Sequence, residues 1–81
     1  MIALFKVIFR THKDMDEFCD IVSIFNSNTS ILDGDITNYI DAKDFGLVSQ
    51  LGLSQKLFVR IIGNGVEDVA ELKEKLRKFI V

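Results

Sequence analysis

Between Phe9 and Met15 the apolar residues of this chain change their spacing, and that change constrains the fold more than any other feature. Before it, Ile2 to Phe9 is β-branched and aromatic. Ala3, Phe5, Val7 and Phe9 fall on one side and Ile2, Leu4, Lys6 and Ile8 on the other, the two-residue period of a strand. After it, Met15, Phe18, Cys19, Val22 and Phe25 recur at three and four, the stripe of an amphipathic helix. A strand and a helix that each carry an apolar face bury those faces in a layered structure, so the first third of the chain already points to mixed α and β.

The remaining segments extend the pattern. Thr11 followed by Asp14, and Asp14 followed by Glu17, both fit a capping arrangement at the start of the first helix, and Asn26-Ser27-Asn28 ends it. Two short extended segments follow, Ser30 to Leu32 and Ile36 to Ile40, with the hairpin signal Asp33-Gly34-Asp35 between them. A short helix is expected from Asp44 to about Leu51, with Gly52 as its stop. Lys56 to Ile62 reads as a strand, Gly63-Asn64-Gly65 as a turn, and Val66 to Phe79 as a helix with Val69, Leu72, Leu76 and Phe79 along one side. Glu71 with Lys75 and Glu74 with Lys78 are i,i+4 pairs of favourable orientation. The order βαββαβα predicts an α+β fold, with helices on one face of a mostly antiparallel sheet. The chain has 81 residues, no proline, no repeat and no linker, so residues 1–81 are expected to form a single domain around one modest core.

Several function classes are disfavoured. The formal charge is −2, and the Lys and Arg residues are scattered instead of forming a stripe, so no nucleic-acid partner is expected. No apolar run approaches the roughly 18 residues that span a bilayer. The N-terminal run is broken by Lys6 and no small-residue cleavage pattern follows it, which predicts neither a signal peptide nor a membrane partner. The lone Cys19 cannot form an internal disulfide and suits a reducing compartment, so a cytoplasmic location is expected. Cys19 lies on the helix stripe and reads as a small core residue. Asp14, Asp16, Glu17 and Asp20 read as a solvated face, and no His or Cys set has metal spacing, so neither metal nor cofactor is expected. Gly63-Asn64-Gly65 lacks the spacing and following lysine of a phosphate cradle. There is no acid and base pair and no triad, so the chain is not expected to be an enzyme.

The downstream half carries a resemblance. Phe25-Asn26-Ser27, then Asp41-Ala42-Lys43-Asp44-Phe45-Gly46-Leu47-Val48-Ser49-Gln50-Leu51-Gly52-Leu53, then Val59-Arg60-Ile61 and a closing amphipathic helix together resemble HPr, the histidine-containing phosphocarrier of the bacterial sugar phosphotransferase system. The similarity spans the whole chain in order and spacing of elements. It implies an HPr-like open-faced β-sandwich, with a four-stranded antiparallel sheet and three helices on one face, in a bacterial cytoplasm.

Two departures fall where the family does its chemistry. The serine that a regulatory kinase phosphorylates in HPr is replaced here by Asp44, which gives that position a fixed negative charge or simply a helix N-cap. The glycine of that helix is displaced to Gly46. The phosphoacceptor loop is shortened by most of a helical turn, and its proline and small residues are missing. Aligned from either side, the acceptor position falls on Thr11 or Asp14 and never on His12, the only histidine.

His12 is therefore a weak candidate phosphoacceptor, with Lys13 beside it. A phosphohistidine at a helix start is stabilised by free N–H groups, the helix dipole and a nearby cation, but Asp14, Asp16 and Glu17 compete for those groups and repel a dianion. The leading expectation is a regulatory or protein-interaction module without phosphocarrier activity; the alternative is a carrier that accepts phosphoryl on His12 from the system's first enzyme. The resemblance assigns partner docking to the short helix, here Phe45, Leu47 and Val48, although Gly46 and Ser49 replace bulky apolar residues there. A second surface follows from the strands. If Ala3, Phe5, Val7, Leu57, Val59 and Ile61 face the core, the outward set is Ile2, Leu4, Lys6 and Ile8 with Phe58, Arg60 and Ile62, too apolar for a wet sheet face. A protein partner or a second copy of the chain is expected there.

Overall fold

The computed structural model describes residues 2–32, 39–63 and 65–81. The expected hairpin at Asp33-Gly34-Asp35, the start of the second extended segment and the centre of the Gly63-Asn64-Gly65 turn lie outside the described residues. The elements are β1 (Ile2–Ile8), α1 (His12–Ile24), β2 (Asn28–Leu32), β3 (Tyr39–Asp41), α2 (Phe45–Val48), β4 (Lys56–Ile62), α3 (Val66–Lys75) and a 3₁₀ turn, Arg77–Phe79. This is the expected α+β order, consistent with an HPr-like open-faced sandwich.

All strand pairs are antiparallel and the sheet order is β1-β4-β2-β3. The chain reaches this order by laying β4 between β1 and β2, so the last strand is an interior one, as is β2. Its register sets Phe5 opposite Val59 and Lys6 opposite Phe58 on β1, and Ile31 opposite Val59 on β2. Because side chains alternate, one sheet face collects Val7, Ile31, Leu57, Val59 and Ile61, all fully buried. The free edge of β1 is partly closed by the C-terminus, where Val7 bridges Ile80 and the Val81 N–H donates to the Lys6 carbonyl at 3.1 Å.

The helices cover that inner face. Met15, Phe18, Cys19 and Val22 of α1 and Leu72 and Leu76 of the α3 segment are buried, as their spacing predicts. Phe9, Phe18 and Phe79 meet edge to face with centroids 5.0, 5.9 and 5.6 Å apart, joining the end of β1, α1 and the 3₁₀ turn.

β2 begins at Asn28, two residues before the expected Ser30, and three further departures have a local reason. First, α3 stops at Lys75 and not at Phe79: Leu76 takes φ −91°, ψ 3°, and the chain tightens so that Phe79 enters the aromatic cluster. With that tightening Lys78 pairs with Glu17 of α1, and Glu74 pairs with Arg77 at 3.3 Å instead of with Lys78. Second, α2 is a single turn. Gln50 and Leu51 continue it with tighter bonds to the carbonyls of Leu47 and Val48, and the Ser49 hydroxyl donates to the Gly46 carbonyl. Third, the left-handed residue after α2 is Ser54, at φ 62°, and not Gly52. Its N–H donates to the Phe9 carbonyl at 2.7 Å, which holds it in place.

Candidate functional site

Two regions answer to the sequence expectations: the start of α1, and the sheet face that carries no helix. At the first, Thr11 is extended (φ −140°, ψ 163°) and its Oγ1 accepts from the Asp14 N–H at 3.2 Å. Asp14 in turn accepts from the Arg10 N–H through Oδ2 at 3.0 Å. Of the two capping arrangements the sequence allowed, the Thr11–Asp14 one forms, with its carboxylate reaching back one residue beyond the cap. His12 is therefore the first residue of α1, three residues earlier than the apolar stripe suggests, and it is exposed, as are Lys13 and Arg10. An anion held at His12 would meet a loop in which Thr11 and Asp14 have already taken the Asp14 and Arg10 N–H groups.

Asp44 is the N-cap of α2, with Oδ1 accepting from the Leu47 N–H at 3.3 Å. The Lys43 ammonium donates to the Phe25 carbonyl at 2.8 Å, tying the end of α1 to the start of α2. Phe45 and Leu47 project into solvent, each 43% exposed, but Val48 does not join them. It is fully buried beneath the single turn, because a helix of four residues that rests on the core must turn one side chain inward. The docking surface expected on α2 is thus reduced to Phe45 and Leu47.

Cys19, on the inner side of α1, is buried in the core. Burial raises its thiol pKa from 9.0 to about 11, and the negative charges of Asp16, Asp20 and Asp44 add to the effect. A thiol held protonated in this way is a packing group and a poor nucleophile. Among the described residues no group of three or more His, Cys, Asp or Glu side chains could hold a metal ion. No helix of the described residues is long and apolar enough to cross a membrane.

The sheet face opposite the helices gathers the outward residues as their alternation predicts. Ile2 is 58% exposed, Leu4 69%, Phe58 44% and Ile62 38%. Ile8, at the far end of β1, is half-buried. The registers set Ile2 opposite Ile62 and Leu4 opposite Arg60, so these side chains form one continuous surface. On it lies a shallow depression of about 310 Å³, lined among others by Leu4, Lys6, Leu32, Tyr39, Phe58 and Arg60.

Alternation places Arg60 on this outer face, but the ring it meets there is not visible in the strand pattern. The Arg60 guanidinium stacks over the Tyr39 ring with Cζ 3.7 Å from its centroid, and the Lys6 ammonium lies 5.2 Å from the centre of Phe58. Arg60 Nε is buried and has no hydrogen-bond partner among the described residues. Tyr39 and Arg60 come from segments that the sequence does not place side by side. They meet because β2 lies between β3 and β4, with Leu32 opposite both Tyr39 and Phe58. Arginine, tyrosine and phenylalanine crowded on an exposed apolar surface is the composition that protein contact sites favour. In comparisons with known proteins, no family model, no curated protein and no solved structure matches this chain.

Proposed function

We propose that this chain is a non-catalytic, HPr-like protein of a bacterial cytoplasm that acts through protein contacts, with its open sheet face as the principal contact surface. The observation that carries the reading is the apolar face itself: Leu4, Phe58, Ile2 and Ile62 stand exposed together on a sheet whose other side is already packed. Leaving such a patch in water is unfavourable by about 25 cal/mol for each Å² that a partner could cover. The relation to the sugar phosphotransferase system is part of the proposal and rests on the sequence resemblance together with the α+β order.

A second reading keeps phosphoryl transfer and places the acceptor on His12. It is favoured by the position of His12 as the exposed first residue of α1 with Lys13 next to it. The occupied Arg10 and Asp14 N–H groups weigh against it.

One experiment separates the two. The protein is incubated with phosphoenolpyruvate and the system's first enzyme, and acid-labile phosphate is measured by intact mass. The contact reading expects no phosphate on the chain, and retention of a specific protein partner by the wild type that is lost in Phe58→Glu. A phosphorylated chain whose label vanishes in His12→Ala would establish the carrier reading instead.

A further inference from the structure

The open face is basic as well as apolar. Lys6, Lys56 and Arg60 lie on it, Asp41 is its one carboxylate among the described residues, and none of the three cations has an ion-pair partner among them. The chain as a whole is acidic, at −2, so this face departs from the balance of the molecule. Carboxylates gather on the helical side at α1 and the start of α2. There Asp16 and Asp20 of α1 and the cap Asp44 stand where α1 packs on α2, with the exposed Phe45 and Leu47 following Asp44 in α2. The exposed Lys13 of α1 precedes Asp16 by one helical turn and Lys43 is turned to the Phe25 carbonyl, so carboxylates outnumber cations on this surface. One molecule thus presents an apolar and basic surface on one side of the sheet, and an apolar and acidic surface on the helical side.

From this complementarity we infer that a second copy of this chain occupies the open sheet face, docking through its α1–α2 surface so that copies associate head to tail. The alternative pairing, sheet face on sheet face, would bring Lys6, Lys56 and Arg60 of both copies together and is opposed by like charge. Head-to-tail contact sets them against Asp16, Asp20 and Asp44, with Phe45 and Leu47 on Leu4 and Phe58. The two surfaces lie on opposite sides of a molecule measuring 31 × 25 × 23 Å, so such contacts do not close at a dimer but extend into short chains or a ring. The inference rests on the contact reading proposed above and names the occupant.

Sedimentation velocity from micromolar to millimolar protein tests it. The wild type should grow past the dimer as concentration rises and should shrink with added salt. Phe58→Glu and Phe45→Glu, each folded by circular dichroism, should both be monomeric. Their equimolar mixture should form a one-to-one dimer and stop there, because one variant keeps an intact sheet face and the other an intact α2 surface. Leu4→Glu and Leu47→Glu repeat the test should either first variant fail to fold. A wild type that stays monomeric throughout overturns the inference, as does a dimer that Phe45→Glu leaves unchanged. If the wild type is monomeric yet Phe58→Glu abolishes retention of a different protein, self-association is wrong while the contact reading stands.

Discussion

Gly63 shows how tightly single positions are held. A methyl group there would sit 2.6 Å from Val69 Cγ2 and 2.9 Å from Ser27 Oγ, so the end of β4 meets α3 at a distance only glycine allows. Gly63→Ala is expected to cost roughly 1–3 kcal/mol, read as a lower denaturant midpoint with an unchanged slope. An unchanged midpoint would mean that this junction can open without cost. Cys19 makes a prediction of a different kind. Its thiol pKa is 9.0 when exposed and about 11 in the fold, so the folded state disfavours the thiolate. The stability this contributes is whole below pH 9 and is lost as pH rises through 11. Native protein at pH 8 should therefore react with a thiol reagent only as fast as it unfolds, and denaturant should bring full reactivity. Fast labelling of the folded chain would contradict the burial. Cys19 was legible as a core residue because the helical stripe is a local pattern. Gly63 was not, since what its Cβ would strike comes from Ser27 and Val69, far apart in sequence.

At the scale of elements, α2 depends on its cap and the C-terminal turn depends on its aromatic anchor. Asp44→Ala removes the acceptor for the Leu47 N–H and should cost about 1 kcal/mol in chemical denaturation. Asp44→Ser keeps an acceptor and should stay close to the wild type in stability, so any loss of partner binding in that variant isolates the role of the charge. Phe79→Ala empties one corner of the Phe9–Phe18–Phe79 cluster and should cost about 3–5 kcal/mol. Lys78→Ala, next to it, breaks an exposed pair with Glu17 and a cation contact 5.2 Å from the centre of the Phe79 ring while leaving the ring in place, and should cost about 1 kcal/mol. Comparable losses in these two variants would show that the Lys78 contacts and not the packed ring secure the turn. The strands β1 and β4 could be read to within a residue because their period and propensity agree. The break at Leu76 and the inward turn of Val48 could not, since both follow from where the core lies and not from local pattern.

For the whole molecule, the apolar open face with Lys6 and Arg60 on it was legible from alternation in β1 and β4, while the meeting of Arg60 with Tyr39 was not. The Arg60–Tyr39 stack exists only because the order β1-β4-β2-β3 inserts β2 between the two residues, and strand order is set by long-range pairing. The same order gathers Lys6, Lys56 and Arg60 on one surface of an otherwise acidic chain. The central claim is that this surface is a contact site in the cell that makes the protein. Its most direct test is a photo-crosslinking residue placed at Phe58, and separately at Leu4, with adducts resolved by mass spectrometry and the exposed Ala70 of α3 as control. Discrete protein adducts from Phe58 and Leu4, and none from Ala70, are the predicted result. A chain that forms no adduct at either sheet position, while remaining folded and abundant, would contradict the claim.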